Sequence, residues 1–258
     1  MRRTALLTAA SGAVVLGVLG TTAAHAEGKG DIRVTRTVVN NGGNVIVGVH
    51  DVKTFPIAFT VKDKSGVKGL SHASVFNTKN GYGPVDLTAN SCHKSNSTTS
   101  VCTATFQAHP SWFKSSVDID PNDLAGTWQV NATVQAKDGD YWIHDSLAHF
   151  DFKRASTLTT DAIPEPVTKG GKLTVKGKLA RANWNDLKYH GYTRQDVKLQ
   201  FKKTGASSYA TVKTVKTSST GTLSTTVTAT ASGTWRWNFS GTHTTMAITS
   251  AGDTVKLR

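Results

Sequence analysis

The chain is short of acid, of cysteine and of helix formers. Only 17 of its 258 residues are Asp or Glu, against 30 Lys or Arg, and it holds two Cys, two Met and six Pro. Beyond residue 26 no apolar run approaches the roughly 20 residues that span a bilayer as a helix. No GxSxG elbow precedes a helix, and no HxH or HExxH pair occurs among the nine His. The motif-borne serine hydrolases and zinc proteases are therefore excluded. Ala, Leu and Glu are sparse after residue 26, which argues against helices. Thr, Ser, Val and 23 Gly stand in their place, a composition of short strands and many turns.

What is present begins with Met1–Ala26. Met-Arg-Arg opens it, Ala5 to Gly20 carries no charge, and Ala24-His25-Ala26 closes it. These are the three parts of a secretory signal peptide, cut after Ala26. No Cys stands near that cut to take a lipid. A secreted, extracellular protein of residues 27–258 is expected. In that compartment Cys92 and Cys102 should be paired. The segment between them is polar and turn-like, so the bridge clips a loop or hairpin, worth roughly 2.5–3 kcal/mol on the chain-entropy model.

The positive charge is uneven. Residues 27–155 carry 13 Lys or Arg against 12 Asp or Glu, and residues 156–258 carry 15 against 5. The second half is thus a basic unit, and its charge is the one property that points to a partner.

Period-two alternation runs through both halves. Phe55, Ile57, Phe59 and Val61 alternate with polar or small residues, as do Trp128, Val130, Ala132, Val134 and Ala136. In the second half Leu173, Val175 and Leu179 form one such set, Val197, Leu199 and Phe201 another, and Trp235, Trp237 and Phe239 a third. Each is a strand with one buried face. Asp138-Gly139 predicts a hairpin between strands near 127–136 and 141–153. Asn40-Asn41-Gly42-Gly43 predicts a second hairpin, joining 32–39 to 45–49. Prolines 164 and 166 and the Lys169-Gly170-Gly171 turn mark a boundary near 154–170. Length and pattern give two β domains, 27–155 and 156–258. Arg181–Gln195 reads as one long polar connection.

The segments PEPVTKGGKLTVKGKL, RANW, DVKLQFKKTGASSYATVKTVKT, GTWRWNFSGT and SAGDTVKLR resemble the C-terminal module of secreted actinobacterial proteins. AGTWQVNATVQAKDGDYW is similar to the domain that precedes that module. The resemblance implies an all-β chain of two immunoglobulin-like β-sandwiches in tandem after the signal peptide. It implies no catalytic residue.

Three groups of residues are candidate sites. Lys172, Lys176 and Lys178 fall on the outer side of one strand, Lys198 and Lys202 on that of another. If the strands share a sheet, they make a basic plate that draws polyanions; the ordinary alternative is solubility and edge protection. Trp184, Tyr189 and Tyr192 lie in the 181–195 connection, either as a stacking surface or as rings plugging the end of the sandwich. Asp118, Asp120 and Asp123 concentrate carboxylates such as Ca²⁺ requires, against a plain capped turn. Asp138 and Asp140 are assigned to the hairpin.

The leading functional reading is an exported, non-catalytic binding or structural protein. Its basic C-terminal domain would adhere to an anionic cell-envelope polymer or extracellular polysaccharide. No cofactor is implied except Ca²⁺, and export excludes sequence-specific nucleic acid. The alternatives are an enzyme inhibitor or hydrolase with a loop-borne site, and a Ca²⁺-dependent adhesion module.

Overall fold

The computed structural model describes residues 26–115 and 119–258. Residues 1–25 of the expected signal peptide, and Asp118 of the acidic loop, lie outside the described residues. The strand content expected from the composition is present throughout.

The first half folds as β1 (Ala26–Lys29), β2 (Arg33–Val39), β3 (Val45–Val47), β4 (Lys53–Lys62), β5 (Val67–Asn77), β6 (Val85–Lys94), β7 (Thr99–Ala108), β8 (Gly126–Ala136) and β9 (Tyr141–Arg154). One sheet has the order β2-β4-β7-β6. The other runs β5-β8-β9, with β1 and β3 both on the free edge of β9. The apolar sets face each other: alternate residues of β8 are buried from Gly126 to Ala136, and Phe55 of β4 meets Phe150 of β9 across the two sheets at 6.1 Å. Cys92 and Cys102 are cross-strand partners of the β6–β7 hairpin and are bonded to each other.

The second half supplies β10 (Ser156–Leu158), β11 (Asp161–Ile163), β12 (Lys172–Asn183), β13 (Lys188–Gly191), β14 (Asp196–Lys203), β15 (Ala210–Lys216), β16 (Thr222–Thr228), β17 (Gly233–Phe239), β18 (Ile248–Thr249) and β19 (Asp253–Val255). Strand β12 has β10 and β11 along one edge and β16 and β13 along the other. The facing sheet is β15-β14-β17, with β18 and β19 on β17. Trp235, Trp237 and Phe239 are buried between them, as their alternation requires. The Trp237 indole donates to Lys176 O at 2.9 Å. It also lies where a Cβ on Gly177 would come within 2.8 Å, so only glycine fits there.

Both halves thus have immunoglobulin-like strand order, two sheets closed by cross-sheet connections. Two sequence expectations are corrected. Asn40–Gly43 is not a hairpin turn: Asn40, Asn41 and Gly42 take left-handed φ and pass the chain from one sheet to the other. There β3 runs parallel to β9 instead of pairing with β2. The segment 181–195 is not one irregular connection either. Strand β12 continues to Asn183 and turns back as β13.

That overshoot of β12 joins the halves. It delivers Trp184 out of its own sandwich and into the core of the first. The ring is 0% exposed and meets Phe113 edge-on at 4.9 Å and Phe152 at 5.8 Å. Its Nε1 donates to Gly48 O at 2.9 Å, and its backbone N to Asn122 Oδ1 at 3.1 Å. Backbone bonds link Arg154 N to Thr244 O and Met246 N to Arg154 O, each 3.0 Å. Replacing a buried Trp by Ala typically costs about 3–5 kcal/mol. Trp184→Ala should therefore lower the melting temperature and split calorimetric unfolding into two transitions. A single transition at the wild-type temperature would show that the plug does not couple the halves.

Candidate functional site

The joint leaves an open polar cleft of about 730 Å³. The end of β5, the 3₁₀ turn Pro121–Leu124 and the start of β8 form one wall; β12, β13 and the β17–β18 loop form the other. Asn77 fixes the first wall. Its buried amide donates to Leu124 O at 3.1 Å and accepts from Lys79 N at 2.8 Å.

Two guanidinium groups share this cleft. Arg154, the last residue of β9, is 7% exposed. Its Nε donates to Ala182 O. Among the described residues its terminal nitrogens have no hydrogen-bond acceptor, and no carboxylate forms an ion pair with it. Burial, then the neighbouring Arg181 charge, pull its pKa down to about 10, with Asp120 opposing. Arg154 is therefore charged at neutral pH. The unfolded chain holds this proton to higher pH than the folded one, so the fold gains stability from the group only as pH rises above its lowered pKa. Arg181 lies on the ring of Tyr192, 4.0 Å from its centroid, and is likewise without an ion pair among the described residues. Two like charges held together with little compensation are costly.

The cleft acids are engaged elsewhere. Asp120 caps the 3₁₀ turn by accepting from Asn122 N at 2.9 Å. Asp123 pairs with Lys79 at 3.4 Å. The described part of the acidic loop forms a capped turn.

The lysine plate is corrected. Lys172, Lys176 and Lys178 stand on β12 and Lys198 and Lys202 on β14, in opposing sheets of the sandwich. They form two separate outer faces. The β14 face is the more organised one: Arg236 lies 3.6 Å and Lys202 5.1 Å from the centroid of Tyr209. Its one acidic strand residue, Asp196, is taken by Lys216 at 2.8 Å. The aromatic trio also divides. Trp184 is the interdomain plug, Tyr192 packs edge-on against Phe239 at 5.8 Å, and Tyr189 alone is exposed. Arg154 and Arg181 escaped the sequence reading because nothing in a linear pattern distinguishes them from other outward bases.

No protein-family model matches the chain, and no curated protein is significantly similar to it. Among solved structures, the D0–D1 domain of intimin is 14% identical, covering 86% of this chain and 98% of that one, with a TM-score of 0.28. The D00–D0 domain of intimin is 8% identical over 85% and 99%, at 0.29. A chimeric titin Z1Z2 carrying an exogenous decorin peptide is 13% identical over 92% and 98%, at 0.24. Likeness at this level carries nothing about function.

One arrangement in the cleft has the composition of a catalytic relay. Thr127 Oγ1 and His243 Nε2 share a hydrogen bond of 3.2 Å, and His243 Nδ1 lies 3.5 Å from Asp151 Oδ1. Thr127 sits inside a strand ladder, opposite Asp151, and not on a turn that presents a nucleophile. Asp151 also holds Lys153 at 3.1 Å, and the imidazole is exposed. The contact is read as a clamp between the halves. Wild-type protein and Thr127→Ala should hydrolyse p-nitrophenyl acetate at the same background rate. A wild-type rate about 100-fold higher, abolished in Thr127→Ala, would make it a catalytic site.

Proposed function

We propose that the chain is an exported, non-catalytic binding or structural protein. In this reading its basic C-terminal domain adheres to an anionic envelope polymer or extracellular polysaccharide, and the interdomain cleft receives one acidic group of that polymer. The observation that carries the reading is Arg154, buried and without an ion pair among the described residues, lining a polar cleft together with Arg181. An oxyanion there would accept charge-assisted hydrogen bonds from both guanidinium groups. The Asn and Thr side chains around it suit a hydroxylated ligand. The excess of 15 basic over 5 acidic residues in 156–258 supports long-range attraction, and the Tyr209–Arg236–Lys202 cluster supports contact on the β14 face. The disulfide is compatible with an oxidising compartment. Among the described residues no helix is long and apolar enough to cross a membrane.

Co-sedimentation with polygalacturonate across a salt series tests this. Wild-type binding should fall steeply with salt. Arg181→Gln should weaken it about tenfold at every salt concentration, the loss of one charged hydrogen-bonding partner. Lys198→Glu with Lys202→Glu should flatten the salt dependence, and Lys176→Glu with Lys178→Glu on the other sheet should do so less. Binding untouched by Arg181→Gln would remove the cleft from the reading.

A further inference from the structure

A second site lies at the other end of the first sandwich. Strand β9 leaves it at Tyr141 and reaches the joint at Arg154, a run of about 40 Å at strand rise. Three loops meet there. Asp31 comes from the β1–β2 connection, Asp63 from β4–β5 and Asp140 from the β8–β9 turn. Each offers a carboxylate oxygen, and these oxygens lie within 4.8 Å of one another.

Asp63 makes this more than a cluster of surface acids. It is 3% exposed. Its Oδ1 accepts from Ser65 N at 2.7 Å and Ser65 Oγ at 2.6 Å. Its Oδ2 is buried and accepts from nothing among the described residues. A buried oxygen without a partner is costly, and more so when it is charged. The surroundings do little to offset it. Lys64 reaches Asp31 at 3.4 Å, but its side chain is 89% exposed. The Arg33 guanidinium is turned to carbonyls, donating to Gly30 O at 3.1 Å and Ile32 O at 2.6 Å. The backbone is shaped to the carboxylates. Asp31 N donates to Asp140 Oδ2 at 3.0 Å, and Gly30, at φ +80°, leaves the space that Asp140 fills.

We propose that Asp31, Asp63 and Asp140 bind a divalent cation, and that the ion is Ca²⁺. The three donors are hard oxygens with no sulfur or imidazole among them, which disfavours zinc and copper. Exposed Asp31 leaves room for water to complete the six to eight oxygens Ca²⁺ takes, at about 2.3–2.6 Å. The ion satisfies Asp63 Oδ2, removes the repulsion between the carboxylates and ties the N-terminal segment to two hairpins. This site is independent of the cleft and of the Asp118–Asp123 loop.

The test is calorimetric titration of CaCl₂ into EDTA-stripped residues 27–258, with melting curves alongside. Saturable one-to-one binding is expected, with Kd of about 10⁻⁴–10⁻³ M, the range of extracellular modules. At ten times that concentration the melting temperature should rise by about 3–5 °C. Asp31→Asn and Asp140→Asn, both away from the core, should each weaken binding about tenfold. Without Ca²⁺ both variants should melt no lower than wild type, because each removes a repelling charge. No saturable binding by the folded wild-type chain would overturn the assignment. Binding that survives both substitutions would place the ion elsewhere and overturn it equally.

Discussion

The seat of Trp184 is the constraint on which the rest depends. A strand of the second sandwich runs past its own core and buries an indole in the core of the first, against Phe113 and Phe152. Ordinary tandem domains meet through modest, polar surfaces and move relative to one another. Here a main-chain bridge from Arg154 to Thr245 and the indole bond to Gly48 O join that apolar contact. The two halves are held as one body, and the cleft beside the plug has fixed walls.

Fixed walls explain why a buried arginine is left without a counter-ion among the described residues. Arg154 ends the strand that leads into the joint, and its Nε is spent on Ala182 O. A flexible joint would relax to bring a carboxylate to it or let water in. The capped turn at Asp120 and the Lys79–Asp123 pair engage the described acids that line the cleft. In the proposed reading, the strain of holding such a charge is relieved when an anion binds. Immunoglobulin-like sandwiches host many functions, so this inference rests on the site and not on the scaffold.

The two-sheet character of each half was legible in the alternation of Phe55–Val61, Trp128–Ala136 and Trp235–Phe239, because a strand's buried face is written every second residue. The Asp138-Gly139 hairpin and the Cys92–Cys102 pairing were legible too, since both are local. What failed was long-range. Asn40–Gly43 has hairpin composition, yet the chain there changes sheets, and only the partner strand decides which happens. Lys172–Lys178 and Lys198–Lys202 look alike in sequence but belong to opposing sheets. Trp184 looked like a loop aromatic because its true neighbours, Phe113 and Phe152, belong to the other half of the chain. Asp140 was assigned to its turn, which is correct locally. Its meeting with Asp31, 109 residues away, depends on the whole sandwich.

The most direct measurement is a titration of galacturonic acid into ¹⁵N-labelled residues 27–258, following the arginine Nε–H resonances. If the cleft is an anion site, the Arg154 and Arg181 signals shift together and saturate at one equivalent of bound sugar acid, while galactose moves neither. Titration to high concentration without a shift at Arg154, or an equal response to galactose, would contradict the claim that its buried charge is there for a ligand.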